Sequence, residues 1–264
     1  MPRARAGIGA AATQAAGVAI YGKRALEELA GGASPDEALE RVLADDPGRE
    51  TRQLGVVTAD GRAAAFTGAD CPDWAGHRVG AGFAVQGNIL AGADVVDEMA
   101  RAYEQTVGPL VERLVAALEA GQAAGGDKRG QQSAAVVVER VGARSESREG
   151  IDRICELRVE DHPEPIVELR RLVGIWSVWD AQRRAGTFAD RKEYREAAAV
   201  LRGELERVED ALLLYNLACY ESLAGHADDA VAHLRRAIEL DQSHRALAAQ
   251  DADFDQIRSA IFDL

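Results

Sequence analysis

The spacing of apolar positions predicts two helical regions in the first part of the chain. Apolar residues recur every three or four positions over residues 93–120, with an interruption near Gly108 and Pro109. A second helical pattern covers residues 25–43. It breaks at a Gly-Gly pair and restarts at Ser34, which is followed by proline and, three residues after the cap, by glutamate. This arrangement is a capping box, so a short helix is predicted to begin there.

Strands are predicted between and after these helices. Residues 52–68 contain two short apolar segments on either side of an Ala-Asp-Gly turn, which is typical of a hairpin. Residues 82–90 and 151–159 have the character of further strands. The valine-rich segment 133–141 is also predicted to be a strand, and we expect it to be buried on both faces or nearly so.

The pattern changes after the His-Pro-Glu-Pro sequence at residues 162–165, because nearly everything that follows is helical. We therefore predict an α+β fold in which a sheet covered by helices is followed by an all-α appendage. The expected domains are residues 1–172, a helical linker over residues 173–190, and a helical domain over residues 191–264.

The segment 214–242 resembles a tetratricopeptide repeat, a helix-turn-helix unit of 34 residues, with Gly225 at the turn. Glu221 stands where a large apolar residue is usual, and Gln242 stands where proline is usual. One full repeat is too few for a stable solenoid, which needs about three. Two interpretations stay open: the helices pack on the first domain or on a second copy of the chain, or they bind a protein partner.

Charge and cysteine spacing exclude several classes of protein. The 264 residues carry a formal net charge of -13, whereas a nucleic-acid-binding protein shows a basic face. The apolar stretches are far shorter than the roughly 20 residues that span a bilayer. Cys71, Cys155 and Cys219 are scattered, which predicts reduced thiols in a cytoplasmic protein. Motifs for phosphate, dinucleotide or zinc binding are missing from the sequence, so no metal or cofactor is predicted.

Several stretches of the first domain, taken in order, resemble the bacterial domain-of-unknown-function family 1028. They are ARAGIGAAATQA, GRETRQLGVVTADGRAAAFTG, CPDWAGHRVG, FAVQGNILAG and GGDKRGQQSAAVVV. The resemblance runs from about Arg3 to Leu172. It implies the αββα sandwich of the N-terminal-nucleophile (Ntn) hydrolases, in which two sheets lie between helical layers, and a relationship to amide-cleaving enzymes.

The resemblance also implies how such an enzyme would react. In an Ntn hydrolase the first residue is a Thr, Ser or Cys, whose side chain attacks while its own α-amine serves as base. Met1 and Pro2 offer no such group, and in the family further strands precede the segment that matches Arg3. We expect either that the missing strands and nucleophile lie upstream or that the protein no longer catalyses. The first explanation is favoured, because a sheet without these strands would have unpaired edges.

Two polar groups of residues in the first domain are candidates for a site. Thr13 is the best candidate for a reactive hydroxyl inside the chain, and Gln14 is predicted to contact substrate. For Thr13 the simpler interpretation is a buried side chain that bonds to the backbone. Asp127 and Arg129 could orient a substrate amide or carboxylate, with Gln131 beside them. The alternative is an Asp-Arg pair that fixes the loop after a helix.

Gln86, Gly87 and Asn88 interrupt an apolar strand. We predict that Asn88 or the Gly87 N–H forms an oxyanion hole and that Gln86 contacts substrate; the alternative is a bulge whose amides satisfy a neighbouring strand. Cys71 and His77 invite comparison with a thiol nucleophile and its base, but a structural role is favoured, with His77 bonded to a backbone group.

These observations lead to two functional hypotheses. The first is an Ntn-hydrolase-like protein that acts on a small-molecule or peptide amide and lacks its nucleophile in this form. The second is a non-catalytic scaffold whose helical tail mediates self-association or binds a protein partner.

Overall fold

The computed structural model describes residues 2–143 and 152–261. The chain forms two compact units, Met1–Val173 and Gly174–Leu264. The first unit is a mixture of helices and antiparallel strands and the second is helical, so the predicted mixed α+β class is confirmed. Among the described residues no helix combines the length and the apolar character needed to cross a membrane.

The strands all lie in the first unit. They are β1 (Pro2–Arg5), β2 (Gly9–Ala15), β3 (Arg52–Thr58), β4 (Ala63–Thr67), β5 (Gly76–Gly80), β6 (Phe83–Gly87), β7 (Ala134–Glu139) and β8 (Arg153–Val159). An antiparallel sheet has the order β1-β2-β3-β4, and two hairpins pair β5 with β6 and β7 with β8.

The helices fall into an earlier and a later group. The earlier group is α1 (Ala19–Ala30), α2 (Pro35–Leu43), α3 (Asp94–Gln105) and α4 (Leu110–Ala123). The later group is α5 (Pro165–Ala189), α6 (Tyr194–Leu205), α7 (Ala211–Leu223), α8 (Ala227–Leu240), α9 (Ser243–Ala248) and α10 (Arg258–Ile261). The capping box predicted at the start of α2 is confirmed, since the Ser34 hydroxyl accepts from the backbone of Glu37 and the Glu37 carboxylate accepts from the backbone of Ser34.

One face of the four-stranded sheet packs against α1 and α2. Successive side chains of a strand point to opposite faces, so the alternate residues Leu54 and Val56 of β3 lie on the same side. Both are buried in a core with Leu26 of α1 and Leu39 of α2.

The other face of the sheet is covered by the β5–β6 hairpin. Gly55 lies on this face, and a Cβ added to it would be only 2.4 Å from Gln86 Oε1 on β6. The opposite side of the hairpin buries Phe83 and Val85 in a core with residues of α3 and α4. Four layers result, in the order helices, sheet, hairpin, helices.

The β7–β8 hairpin is buried on one face only, which corrects the expectation of burial on both. Val136 and Val138 are buried, whereas Ala135 is exposed and Val137 is only half-buried. On β8 the same alternation exposes Glu156 and Arg158. Because hydrophobic residue type alone does not reveal whether a second layer covers a strand, the valine-rich sequence overstated the burial.

Two strand regions were absent from the sequence-based prediction. β1 and β2 form a hairpin in a segment rich in alanine and glycine, and β5 lies in a segment for which no strand was predicted. The last strand was predicted to begin at Ile151, which lies outside the described residues. The described strand β8 begins at Arg153.

The second unit contains a helix-turn-helix formed by α7 and α8, with Gly225 at the turn in a left-handed conformation (φ +84°). Glu221 of α7 is completely buried. Its carboxylate oxygens lie 2.7 Å from Arg202 on α6 and 2.7 Å from His233 Nδ1 on α8. The residue that departs from the apolar repeat pattern is therefore tolerated because two basic side chains bind it.

Candidate functional site

The strand register places three polar side chains in one row across the sheet. Gln14 of β2, Gln53 of β3 and Thr67 of β4 are directly opposite one another. The row lies on the face covered by the β5–β6 hairpin, since Gln53 and Gly55 are two residues apart on one strand. A polar cluster therefore lies between the sheet and the hairpin rather than at the outer surface.

Gln53 is the centre of this cluster and is completely buried. Its Oε1 accepts from Gln14 Nε2 at 3.1 Å and from Asn88 Nδ2 at 3.2 Å. Its Nε2 is 3.0 Å from the Thr67 hydroxyl, and 3.1 and 2.8 Å from the carbonyl oxygens of Gly76 and Gly87 at the ends of β5 and β6. One buried amide thus joins three strands of the sheet to both strands of the hairpin.

Thr67 connects the cluster to an imidazole. Its hydroxyl lies 2.8 Å from His77 Nδ1. Burial, and then the positive charge of Arg78, lower the pKa of His77 below its ordinary value of 6.5, so the ring is neutral at neutral pH. His77 therefore binds a side-chain hydroxyl, which corrects the expectation of a backbone partner. Cys71 is not its partner, because the thiol donates to the backbone oxygen of Arg52 at 3.2 Å.

Three half-buried side chains of the cluster keep polar atoms available. Among the described residues, no hydrogen bond is made by Oε1 of Gln14, Oδ1 of Asn88 or Nε2 of His77. When His77 Nδ1 accepts from Thr67, Nε2 carries the hydrogen and can donate. The cluster thus offers two acceptors and one donor, which match the N–H and C=O groups of an amide.

Of the three residues predicted at the end of β6, two contact Gln53 and the third, Gln86, does not. The Gly87 carbonyl and the Asn88 side chain both contact Gln53. Asn88 itself follows the end of β6 rather than lying within it. Gln86 projects onto Gly55, and its Oε1 is buried without a hydrogen-bond partner among the described residues. Gln86 is therefore placed to pack the two layers together rather than to meet a ligand.

The remaining predicted residues are not part of the Gln53 cluster, although the backbone of Asp127 is bridged to Leu90, close to Asn88. Thr13 is buried opposite Leu54, on the face that packs against the helices. Asp127 forms an ion pair with Arg129 at 2.6 Å and also accepts from the Arg129 backbone. This pairing lowers the pKa of Asp127. Arg129 and Gln131 are exposed, so the geometry favours a loop-fixing pair over a substrate clamp.

One set of side chains in the second unit could approach a metal ion. Ligand atoms of Cys219, Asp251 and Asp253 lie within 4.8 Å of one another. Asp251 already accepts from the Tyr215 hydroxyl at 2.7 Å. Burial raises the pKa of the Cys219 thiol far above its ordinary value, so the sulfur is protonated and is a poor ligand at neutral pH. Hydrogen bonds within the second unit explain why these side chains lie together, without a metal ion.

Comparison with known proteins identifies the class of the first unit. The model of a family described as "Family of unknown function (DUF1028)" matches residues 1–169, so the chain belongs to this family. The crystal structure of protein SPO2555 from Silicibacter pomeroyi, assigned to the same family, is similar with a TM-score of 0.60 and 31% identity, over 69% of this chain and 77% of that chain. No curated protein matches the chain. The resemblance inferred from the sequence motifs is thus confirmed.

Proposed function

We propose that the first unit is an Ntn-hydrolase-like αββα sandwich that binds an amide-containing compound, and that it binds this compound without cleaving it. The order of layers supports the fold, since the sheet and the β5–β6 hairpin lie between α1–α2 and α3–α4. The relationship to amide hydrolases is the one implied by the family resemblance.

The observation that carries this function is the set of unused polar atoms around Gln53. Asn88 Oδ1 and Gln14 Oε1 can accept from a ligand N–H, and His77 Nε2 can donate to a ligand carbonyl. The buried Gln53 amide fixes Gln14 and Asn88 directly. A site whose polar groups are already oriented loses less entropy when it binds.

The Thr67 hydroxyl is the group of this cluster that could react, because a neutral imidazole lies beside it. The same oxygen is also contacted by Gln53 Nε2 at 3.0 Å. A hydroxyl held on two sides by internal partners is anchored rather than free to attack a carbonyl. We therefore assign Thr67 a positioning role and expect no turnover from it.

Nuclear magnetic resonance titration of the full chain with N-acetylated amino-acid amides tests the proposal. We expect shifts in amides near Asn88 and a dissociation constant that rises about fivefold in Asn88→Ala and in Gln14→Ala, since a lost hydrogen bond costs about 1 kcal/mol. Gln131→Ala is the matched control and should leave binding unchanged. The same samples report hydrolysis: product formation that is lost in Thr67→Val would show an enzyme instead.

A second candidate function, a scaffold that self-associates through the helical second unit, is favoured by a separate observation. Ile175 and Trp179 lie one turn apart on α5, in the second unit, and are 46% and 61% exposed. Exposed large apolar side chains that lie together mark interaction surfaces. Sedimentation of Trp179→Glu against the control Arg235→Glu tests it: only the first should abolish a concentration-dependent dimer.

A further inference from the structure

Ile89 has a backbone conformation that is unfavourable for its residue type. It follows Asn88 just after the end of β6 and has a φ of +57°. Of the non-glycine residues with positive φ in the described ranges, it alone is branched at Cβ. A β-branched residue in this left-handed region is an outlier, and it persists only where the surrounding structure holds it there. The contacts around Ile89 therefore have to restrain its backbone.

The left-handed turn changes which layer the chain faces. Along β6, Val85 packs toward α3 and α4, whereas Gln86 projects onto the sheet. In a regular strand, Asn88 and Leu90 would face the sheet as Gln86 does, since alternate residues share a face. Asn88 does bind Gln53 of the sheet, but Leu90 is buried in the core formed with α3 and α4. The turn between these two residues allows both contacts at once.

A first loop holds the N–H groups at this turn. It consists of residues 72–74, which precede β5. The carbonyl oxygens of Pro72 and Trp74 accept from the N–H groups of Ile89 and Leu90, each at 3.0 Å. Both donors of the turn are therefore bound to one neighbouring segment.

A second loop, residues 125–129, holds the other side of the turn. The Lys128 N–H donates to the Ile89 carbonyl oxygen at 2.8 Å. The Ala91 N–H donates to the Gly126 carbonyl oxygen at 2.9 Å. The chain on the far side of Ile89 is thus paired with this loop by backbone hydrogen bonds in both directions.

The second loop is itself fixed by its sequence. Asp127 forms an ion pair with Arg129 at 2.6 Å and accepts from the Arg129 backbone N–H at 2.8 Å. Gly125 allows the loop to approach closely, because a Cβ at this position would lie 2.7 Å from the Cβ of Ala91. The residues that distinguish this motif in the sequence therefore shape a rigid support beside Ile89.

We propose that Ile89 is a positioning residue of the amide site and that residues 125–129 act as a clamp that keeps it in the left-handed conformation. This inference rests on the proposed function. Without the clamp, Ile89 relaxes to an ordinary conformation. The Asn88 carboxamide then loses its orientation, because Leu90 stays anchored in the core. The clamp governs affinity for an amide although it does not contact the amide itself.

Asp127→Ala removes the acceptor that fixes the clamp. In the full chain, we expect it to raise the dissociation constant for N-acetylalanine amide about fivefold or more, because residues coupled through a shared backbone shift do not act independently. Asp60→Ala is the matched control. Asp60 also pairs with an arginine two residues later, Arg62, but at the turn beyond the end of β3 opposite to Gln53. It should change the constant by less than about twofold.

Ile89→Gly tests whether the clamp opposes strain, because glycine adopts positive φ without a steric cost. In this background, Asp127→Ala should change the dissociation constant by less than about twofold. A loop that supports the fold in a general way would instead weaken binding equally in both backgrounds. Circular dichroism melting verifies that each variant is folded.

The side-chain NH₂ signals of Asn88 in NMR spectra provide a readout that needs no ligand. We expect Asp127→Ala to move these signals toward the position of an unstructured asparagine, and Ile89→Gly to suppress this movement. The inference is overturned if Asp127→Ala leaves the signals in place, or if it moves them equally in the Ile89→Gly background. If the protein binds no amide, the proposed function fails, whereas the Asn88 signals still decide the role of Ile89.

Discussion

Gln53 and Thr67 face each other on β3 and β4, and the Gln53 amide nitrogen lies 3.0 Å from the Thr67 hydroxyl. The same amide binds Gln14, Asn88 and two backbone carbonyls, so its removal leaves several polar groups inside the protein without partners. We predict that Gln53→Leu destabilises the first unit by about 3 kcal/mol or more, because each buried unsatisfied group costs about 1–3 kcal/mol. The free energy of unfolding in urea, monitored by amide hydrogen exchange in residues 52–67, measures this change.

Gln131→Leu is the control for that experiment, because Gln131 is exposed. It should change stability by no more than about 0.5 kcal/mol. Equal effects of the two substitutions would show that the buried amide network does not stabilise the layers.

Gly55 and Gln86 allow a test of the packing between the sheet and the β5–β6 hairpin. A Cβ at position 55 would lie 2.4 Å from Gln86 Oε1, so Gly55→Ala must displace a buried side chain. We expect it to cost about 1–3 kcal/mol. In a Gln86→Ala background the same substitution should cost at least 0.5 kcal/mol less. Strictly additive effects on the free energy of unfolding would contradict this contact.

His233 should titrate above its ordinary pKa of 6.5, because its hydrogen bond to the buried Glu221 outweighs the effect of desolvation. The stabilisation is therefore fully present below pH 6.5 and is lost as the pH rises through the value in the folded state. An NMR titration of the His233 ring measures this pKa directly. Glu221→Gln should lower it, whereas Glu206→Gln, at an exposed position of the same unit, should not.

The contribution of Asp46 to stability should depend on pH in the opposite direction. It accepts from the Tyr21 hydroxyl and from Arg52 Nε, each at 2.7 Å, and these bonds hold its pKa well below the ordinary value of 3.8. Its contribution is complete above that value and disappears as the pH falls through the lower pKa of the folded state. Acid unfolding of Asp46→Asn should therefore begin at a higher pH than that of the protein itself. The neighbouring exposed Asp45→Asn serves as control and should behave normally.

The sequence predicted the mixed class of the first unit and several of its elements, because their signals are local. The hairpin of β3 and β4 and the cap at Ser34 depend on residues only a few positions apart. Strands β1 and β2 were missed because alanine and glycine have little intrinsic preference for strands. β2 forms a strand through pairing with β3, a distant part of the chain, and β1 then pairs with β2.

The centre of the candidate site could not be predicted for the same reason. Gln53 is a single glutamine beside an apolar run, and its alternation with Leu54 and Val56 indicates only that it faces the other side of the strand. That this side is covered by a hairpin depends on tertiary packing. Gln14 and Asn88 were selected as unusual polar residues, and the structure brings both to Gln53. Thr67 carried no comparable local signal, and His77 was considered only together with Cys71, which is not its partner.

The 25-residue helix α5 has a consequence for experiments that separate the two units. Leu169 and Val173 are buried on the side of the first unit, whereas Ala181 and Ala185 belong to the core of the second. A cut at the border between the units would thus divide a continuous helix and leave each fragment with a short, frayed end. A fragment that represents either unit should retain the entire helix α5. Such a fragment will then expose the apolar side chains of α5 that pack in the other unit.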